Sequence, residues 1–123
     1  MKATELMIGD LVKIKGHLDY DKVQEIARDE NMQWYISYAC SATLFRAYEF
    51  EPIPLTPEIL EKNGWWFDTE DTWRHDEVNF TIEKWNGRYQ CYDINQIKLD
   101  SVHQLQHALR LCGLDELADN FKV

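Results

Sequence analysis

Hydrophobic and polar positions alternate with a period of two through the first part of the chain, the pattern of half-buried strands. After the Gly9-Asp10 turn, Leu11-Val12-Lys13-Ile14-Lys15 puts Val12 and Ile14 on one face and Lys13 and Lys15 on the other, as far as Gly16. Lys22–Ala27 alternates more weakly, with Val23 and Glu25 facing opposite to Gln24 and Ile26. Gln33–Tyr38 (QWYISY) and Thr43–Phe50 (TLFRAYEF) are rich in aromatic and β-branched residues, which suit a pleated, half-buried surface. Ala39-Cys40-Ser41-Ala42 between them predicts a hairpin with a longer loop. A Gly-Asp turn that opens a run of short strands predicts a small SH3-like β-barrel, a fold that does not by itself assign a role.

The pattern changes across Phe50–Phe67 (FEPIPLTPEILEKNGWWF). Pro52 and Pro54 remove backbone donors and stop a sheet ladder. Thr56 is a good N-cap, Pro57 stands where a missing N–H costs nothing, and Glu58 meets the positive end of the helix dipole. Ile59 and Leu60 supply the buried side of a short helix that Asn63-Gly64 ends. Beyond it, Trp65–Phe67 and a short strand around Trp73 are expected to pair across the acidic turn Asp68–Asp71. Asn86-Gly87 predicts a type I′ hairpin that sets Trp85 opposite Arg88, Lys84 opposite Tyr89 and Ile82 opposite Cys91. Val78, Phe80, Ile82, Tyr89 and Cys91 then face the core, and Trp85 stacks outward beside Arg88. A last strand, Gln96–Leu99, leads into a helix capped by Asp100 or Ser101, whose buried stripe is Val102, Leu105, Ala108, Leu109 and Cys112 before Gly113 stops it. Leu114–Phe121 adds a short final helix.

The fold class is therefore α+β: a small SH3-like β-barrel lobe over residues 1–51, then residues 52–123 with a short helix, an antiparallel hairpin sheet and a C-terminal helix. One continuous domain is the alternative. The 123 residues are 45% hydrophobic and 13% aromatic, enough to build a real interior. The net charge of −9 is spread along the chain, which disfavours unspecific attraction to nucleic acid or anionic membranes. Met1-Lys2-Ala3-Thr4-Glu5 does not open a signal peptide, and no apolar stretch is long enough to span a bilayer, so a cytoplasmic protein is expected. Cys40, Cys91 and Cys112 are odd in number and never in a CxxC pair, and read as buried small hydrophobes in a reducing compartment.

Candidate chemistry is sparse. His103-Gln104-Leu105-Gln106-His107 sets two histidines at i and i+4 on one side of a helix, a spacing that can hold a metal ion. Gln104, however, stands where a zinc peptidase has its glutamate base, and glutamine cannot take a proton. A third ligand would have to come from His75 or Asp76. The competing reading makes His103, His107 and Arg110 a half-exposed polar border of the apolar stripe. Trp73-Arg74-His75-Asp76 sets a histidine beside an acid without a nucleophile. Neither GxGxxG nor GxxxxGK[ST] occurs. Among five tryptophans, Trp65, Trp66 and Trp85 are the binding candidates. Adjacent Trp65 and Trp66 on a strand point to opposite faces, and the competing reading has both covered.

Three blocks, MKATELMIGDLVKIKG, EPIPLTPEILEKNGW and VHQLQHALRLCG, resemble an uncharacterised family of small bacterial proteins from gut anaerobes, often associated with phage-like or mobile elements. The resemblance implies kinship and a β-rich N-terminal lobe. It carries over no catalytic residue, and His107 does not become a ligand through it.

The expected function is a non-enzymatic protein-interaction or accessory module encoded by a mobile element, with another protein as partner and no cofactor. One alternative is a nucleic-acid-related protein, either a binder using the Lys13/Lys15 face or an acidic mimic of DNA. The other is a metal-dependent enzyme using His103 and His107.

Overall fold

A computed structural model describes residues 1–2, 5–16, 20–28, 30–38, 45–46, 49–69, 71–92 and 97–123. The chain is of mixed α+β class and divides into two compact units, Met1–Ile53 and Pro54–Val123.

Among the described residues the first unit holds five strands: β1 (Leu11–Ile14), β2 (Tyr20–Arg28), β3 (Trp34–Tyr38), β4 (Phe45–Arg46) and β5 (Phe50–Glu51). They form an antiparallel sheet in the order β4-β3-β2-β1-β5, which is open among the described residues. The Gly9-Asp10 turn earns its place by bonding. The Asp10 carboxylate accepts the Met7 N–H at 2.7 Å, and the Gly9 N–H and Asp10 carbonyl engage the backbone of Val23 at 2.7 and 2.8 Å. This ties the start of β1 to the middle of β2. The core is Leu6, Val12, Val23, Ile36 and Phe50, with Ile14, Ile26, Trp34 and Phe45 packed against it.

Two expectations are corrected in this unit. Simple alternation would put Val23 and Ile26 on opposite faces, but the β2–β3 register shifts between Val23 and Glu25, so that Val23 opposes Tyr38 while Ile26 opposes Ile36. The extra residue returns Ile26 to the core side. Of the expected strand Thr43–Phe50, the described residues do not share one strand either, and Thr43, Leu44, Ala47 and Tyr48 lie outside the described residues. The Glu49 carboxylate accepts the Arg46 N–H at 2.7 Å, and the chain divides into β4, which pairs with β3, and β5, which pairs with β1. The expected loop Ala39–Ala42, with Cys40, lies outside the described residues.

The second unit begins with α1 (Pro57–Lys62), capped by the Thr56 hydroxyl, which accepts the Ile59 N–H at 3.3 Å. Gly64 at φ +93° turns the chain into β6 (Trp65–Phe67). β7 (Thr72–His75), β8 (Ile82–Trp85) and β9 (Arg88–Cys91) complete an antiparallel sheet in the order β6-β7-β8-β9. The hairpin at Asn86-Gly87 has both residues at positive φ, 50° and 76°, as type I′ requires, with Trp85 opposite Arg88 and Ile82 opposite Cys91. Trp65, Trp73, Phe80, Ile82, Tyr89 and Cys91 are buried.

Expected strand Gln96–Leu99 is instead a single bridge, Lys98 to Gln90, with Gln96 outside the described residues. Next come α2 (Val102–Leu111) and α3 (Asp115–Asp119). Gln104 Oε1 accepts the N–H groups of Asp100 and Ser101 at 2.8 and 3.1 Å, closing the start of α2. Its stripe of Val102, Leu105, Ala108 and Leu109 is buried as expected. Cys112 is not: it follows the last helical residue, where the chain turns at Gly113, and it is exposed, whereas Cys91 is buried.

Candidate functional site: the outer face of the C-terminal sheet

Successive side chains of a strand leave opposite faces, so burial of Trp65, Trp73, Ile82, Tyr89 and Cys91 on one side of the second sheet sends Trp66, Arg74, Glu83 and Gln90 to the other. Pairing aligns them in rows. Trp66 opposes Arg74, Thr72 opposes Glu83, Glu83 opposes Gln90, and Trp85 opposes Arg88. One tryptophan thus stands on the β6 edge of this outer face and another at the tip of the β8–β9 hairpin. Trp66 is 41% exposed and Trp85 64%.

The polar groups between and beside them are largely committed to one another. Trp66 Nε1 donates to Asp76 Oδ1 at 2.9 Å, Arg74 Nε donates to Asp68 Oδ2 at 2.6 Å, and Gln90 Nε2 donates to Glu83 Oε1. Asp68 and Asp76 stand just beyond the ends of β6 and β7, each reaching a side chain of the neighbouring strand. The indole of Trp66 therefore has its one polar atom satisfied while the residue stays exposed. At the hairpin, the cation lying over a ring is Lys84, 5.7 Å from the centre of Tyr89, in place of the expected stacking of Arg88 on Trp85.

The other candidates fare differently. Trp65 is buried, with its Nε1 donating to the Phe80 carbonyl at 3.1 Å and its ring edge-on to His75, Phe80 at centroid distances of 4.8 and 6.2 Å. The reading in which Trp65 and Trp66 are both covered is thus corrected: the strand has one core face and one open face. His75 Nδ1 accepts the Glu77 N–H at 3.1 Å, which leaves Nε2 to carry the proton and donate to the Asn63 carbonyl at 2.9 Å. Both ring nitrogens hold the turn together, and Asp76 holds Trp66, so Trp73–Asp76 is a structural corner. Beside it runs a shallow groove of about 490 Å³ lined by Lys62, His75, Asp76, Glu77, Asn120 and Lys122 among others.

His103 and His107 are brought together, ring edge to ring face, with centroids 5.6 Å apart. They are not a matching half-exposed border. His103 is buried with Nδ1 3.0 Å from Ser101 Oγ, while His107 and Arg110 are partly exposed. Among the described residues no group of three or more His, Cys, Asp or Glu could hold a metal ion. Gln106 escaped the sequence reading: it is fully buried and its Nε2 donates to the Ala118 carbonyl at 3.0 Å, joining α2 to α3. Its place one turn after Val102 and one turn before Leu109 was the available signal.

Burial raises the Tyr89 hydroxyl above the ordinary tyrosine range, with a smaller push in the same direction from the Glu58 carboxylate. No helix among the described residues is long and apolar enough to cross a membrane. Compared with known proteins, the chain matches no family model, no curated protein and no solved structure.

Proposed function

We propose that the protein is a non-enzymatic interaction module that acts on another protein in the cytoplasm, with the outer face of the C-terminal sheet as its working surface. The observation that carries this reading is the pair of exposed tryptophans, Trp66 and Trp85, on one strand face whose intervening charged groups are already bonded within the sheet. Large rigid aromatic rings supply contact area at little entropic cost, and pre-paired polar neighbours need little reorganisation on docking. The strand order of the first unit fits an SH3-like scaffold, since β2 is long enough to pair with β1 through its first residues and with β3 through the rest. The resemblance to proteins of mobile elements in gut bacteria fits an accessory role.

The test is capture of a partner from lysate of the native host by the tagged wild-type chain and by a Trp66→Ser/Trp85→Ser variant, each with and without nuclease. A protein retained by the wild type after nuclease and lost by the variant supports the reading. Recovery that depends on nucleic acid overturns it in favour of a nucleic-acid-related role.

A further inference from the structure

Trp66 and Asp76 form a pairing whose chemistry narrows the partner. The Trp66 ring is exposed, yet its only hydrogen-bond donor is spent on the Asp76 carboxylate at 2.9 Å. What remains for a ligand is the ring face. Donation from an indole N–H to a carboxylate adds electron density to the ring, which strengthens its attraction for a cation over the face. The nearest cation on the same sheet face, Arg74, is held by Asp68 at 2.6 Å and does not compete as a free charge. Lys62 and Lys122 share the adjoining groove with Asp76 and Glu77, so the groove itself gives no local excess of negative charge. Attraction there comes from the ring and its own carboxylate. The wider field has the same sign, because residues 54–123 carry 13 Asp and Glu against seven Lys and Arg.

We infer that Trp66 with Asp76 is a docking point for a basic side chain, so that the partner presents a lysine- or arginine-bearing segment to this face. The inference rests on the interaction-module reading and gives it a partner class. On ideal sheet spacing, Trp85 lies roughly 17 Å from Trp66, the reach of about five extended residues, so one segment can meet both rings.

The probe is a blocked peptide containing three arginines, compared with the same peptide in which each arginine is replaced by citrulline, its neutral near-isostere. The readout is the Trp66 indole N–H signal in a nitrogen–proton correlation spectrum, assigned by its loss in Trp66→Phe. A saturable shift with the arginine peptide, and binding at least about threefold weaker with citrulline, is expected. Asp76→Asn should weaken the arginine peptide by a similar factor while the other indole signals keep their places. Trp66→Phe, which keeps a ring with a poorer π face, should weaken it too, read from the remaining shifted signals. Equal shifts with both peptides, or an arginine peptide that leaves the Trp66 signal unmoved, would overturn the inference. If the cation probe fails while cellular capture still requires the two tryptophans, the module reading stands and the basic-segment inference falls. If capture ignores both tryptophans, the module reading falls and the peptide titration still decides the cation site.

Discussion

The carboxamide of Asn63 holds the backbone of Lys122 by both of its ends: Nδ2 donates to the Lys122 carbonyl at 2.7 Å, and the Lys122 N–H donates to Oδ1 at 2.8 Å. The same Nδ2 also donates to the Ile59 carbonyl at 2.7 Å, and the Asn63 carbonyl accepts a hydrogen bond from His75 Nε2. A residue that the sequence presents as a helix end is therefore the knot between α1, β7 and the last residues of the chain. Phe121, beside Lys122, is buried with its ring 6.4 Å from that of Trp65.

Asn63→Ala should destabilise the second unit by about 2 kcal/mol, because it leaves buried or half-buried backbone groups without partners. Denaturant unfolding followed by tryptophan emission measures it. A change below about 0.5 kcal/mol would show that the terminal residues contribute little.

Gly64 and Gly87 separate two costs of replacing glycine. Both have positive φ, but a Cβ on Gly87 meets open space, whereas one on Gly64 runs into the His75 ring at Nε2. Gly87→Ala should cost about 1 kcal/mol, the penalty of the left-handed backbone alone. Gly64→Ala should cost at least about 2 kcal/mol, because the corner made by Asn63, His75 and Glu77 must also yield. In a His75→Ala background, the added cost of Gly64→Ala should fall toward that of Gly87→Ala, an interaction that a double-mutant cycle reads directly.

The displaced Tyr89 hydroxyl makes a prediction at alkaline pH. Its folded pKa lies above the unfolded value of 10.0, so the neutral ring favours the folded state, and this contribution is complete below pH 10. It is lost as pH climbs from 10 through the raised folded value. The phenolate absorbance of the wild type minus that of Tyr89→Phe should therefore show a step above pH 10, and the wild type should lose stability over that window faster than the variant. A difference step at or below pH 10 would contradict the burial of this group.

The cysteines give a contrast that needs no variant of the core. In a Cys40→Ser background, a bulky aromatic disulfide should modify Cys112 in the folded protein at a rate near that of a free thiol. Cys91 should wait for unfolding, since it is buried on the inner side of β9. Two thiols reacting together in native buffer would contradict the placement of one of them.

What was legible in the sequence was local chemistry with a fixed offset. Thr56, Pro57 and Asn63-Gly64 mark both ends of α1, and Asn86-Gly87 sets the β8–β9 register residue by residue. What escaped depends on partners distant in the chain. Alternation across β2 assumes unbroken pairing, and only β3 reveals the shift after Val23. The aromatic run Thr43–Phe50 looks continuous until the Glu49 carboxylate folds back on the Arg46 N–H. His103 belongs inside because Ser101 meets its ring, and Cys112 falls outside although its spacing continues an apolar stripe, because the helix has already ended. Trp66 could be paired with Trp65 as an opposite-facing neighbour from sequence alone. The pairing of its strand with the one around Trp73 is expected from sequence, but its bond to Asp76 depends on the register that sets Trp66 opposite Arg74.

The shifted register of β2 has one more consequence, for how the chain tolerates change. Gln24 is exposed, and its identity matters little to the interior. Its presence matters little as well, since without it Val23, Glu25 and Ile26 alternate regularly against Tyr38, Ser37 and Ile36 and each keeps its face. In a saturation scan, position 24 should accept substitution and deletion alike, whereas loss of Gln24 and Glu25 together should be costly, because Ile26 would then follow Val23 directly and leave the core face.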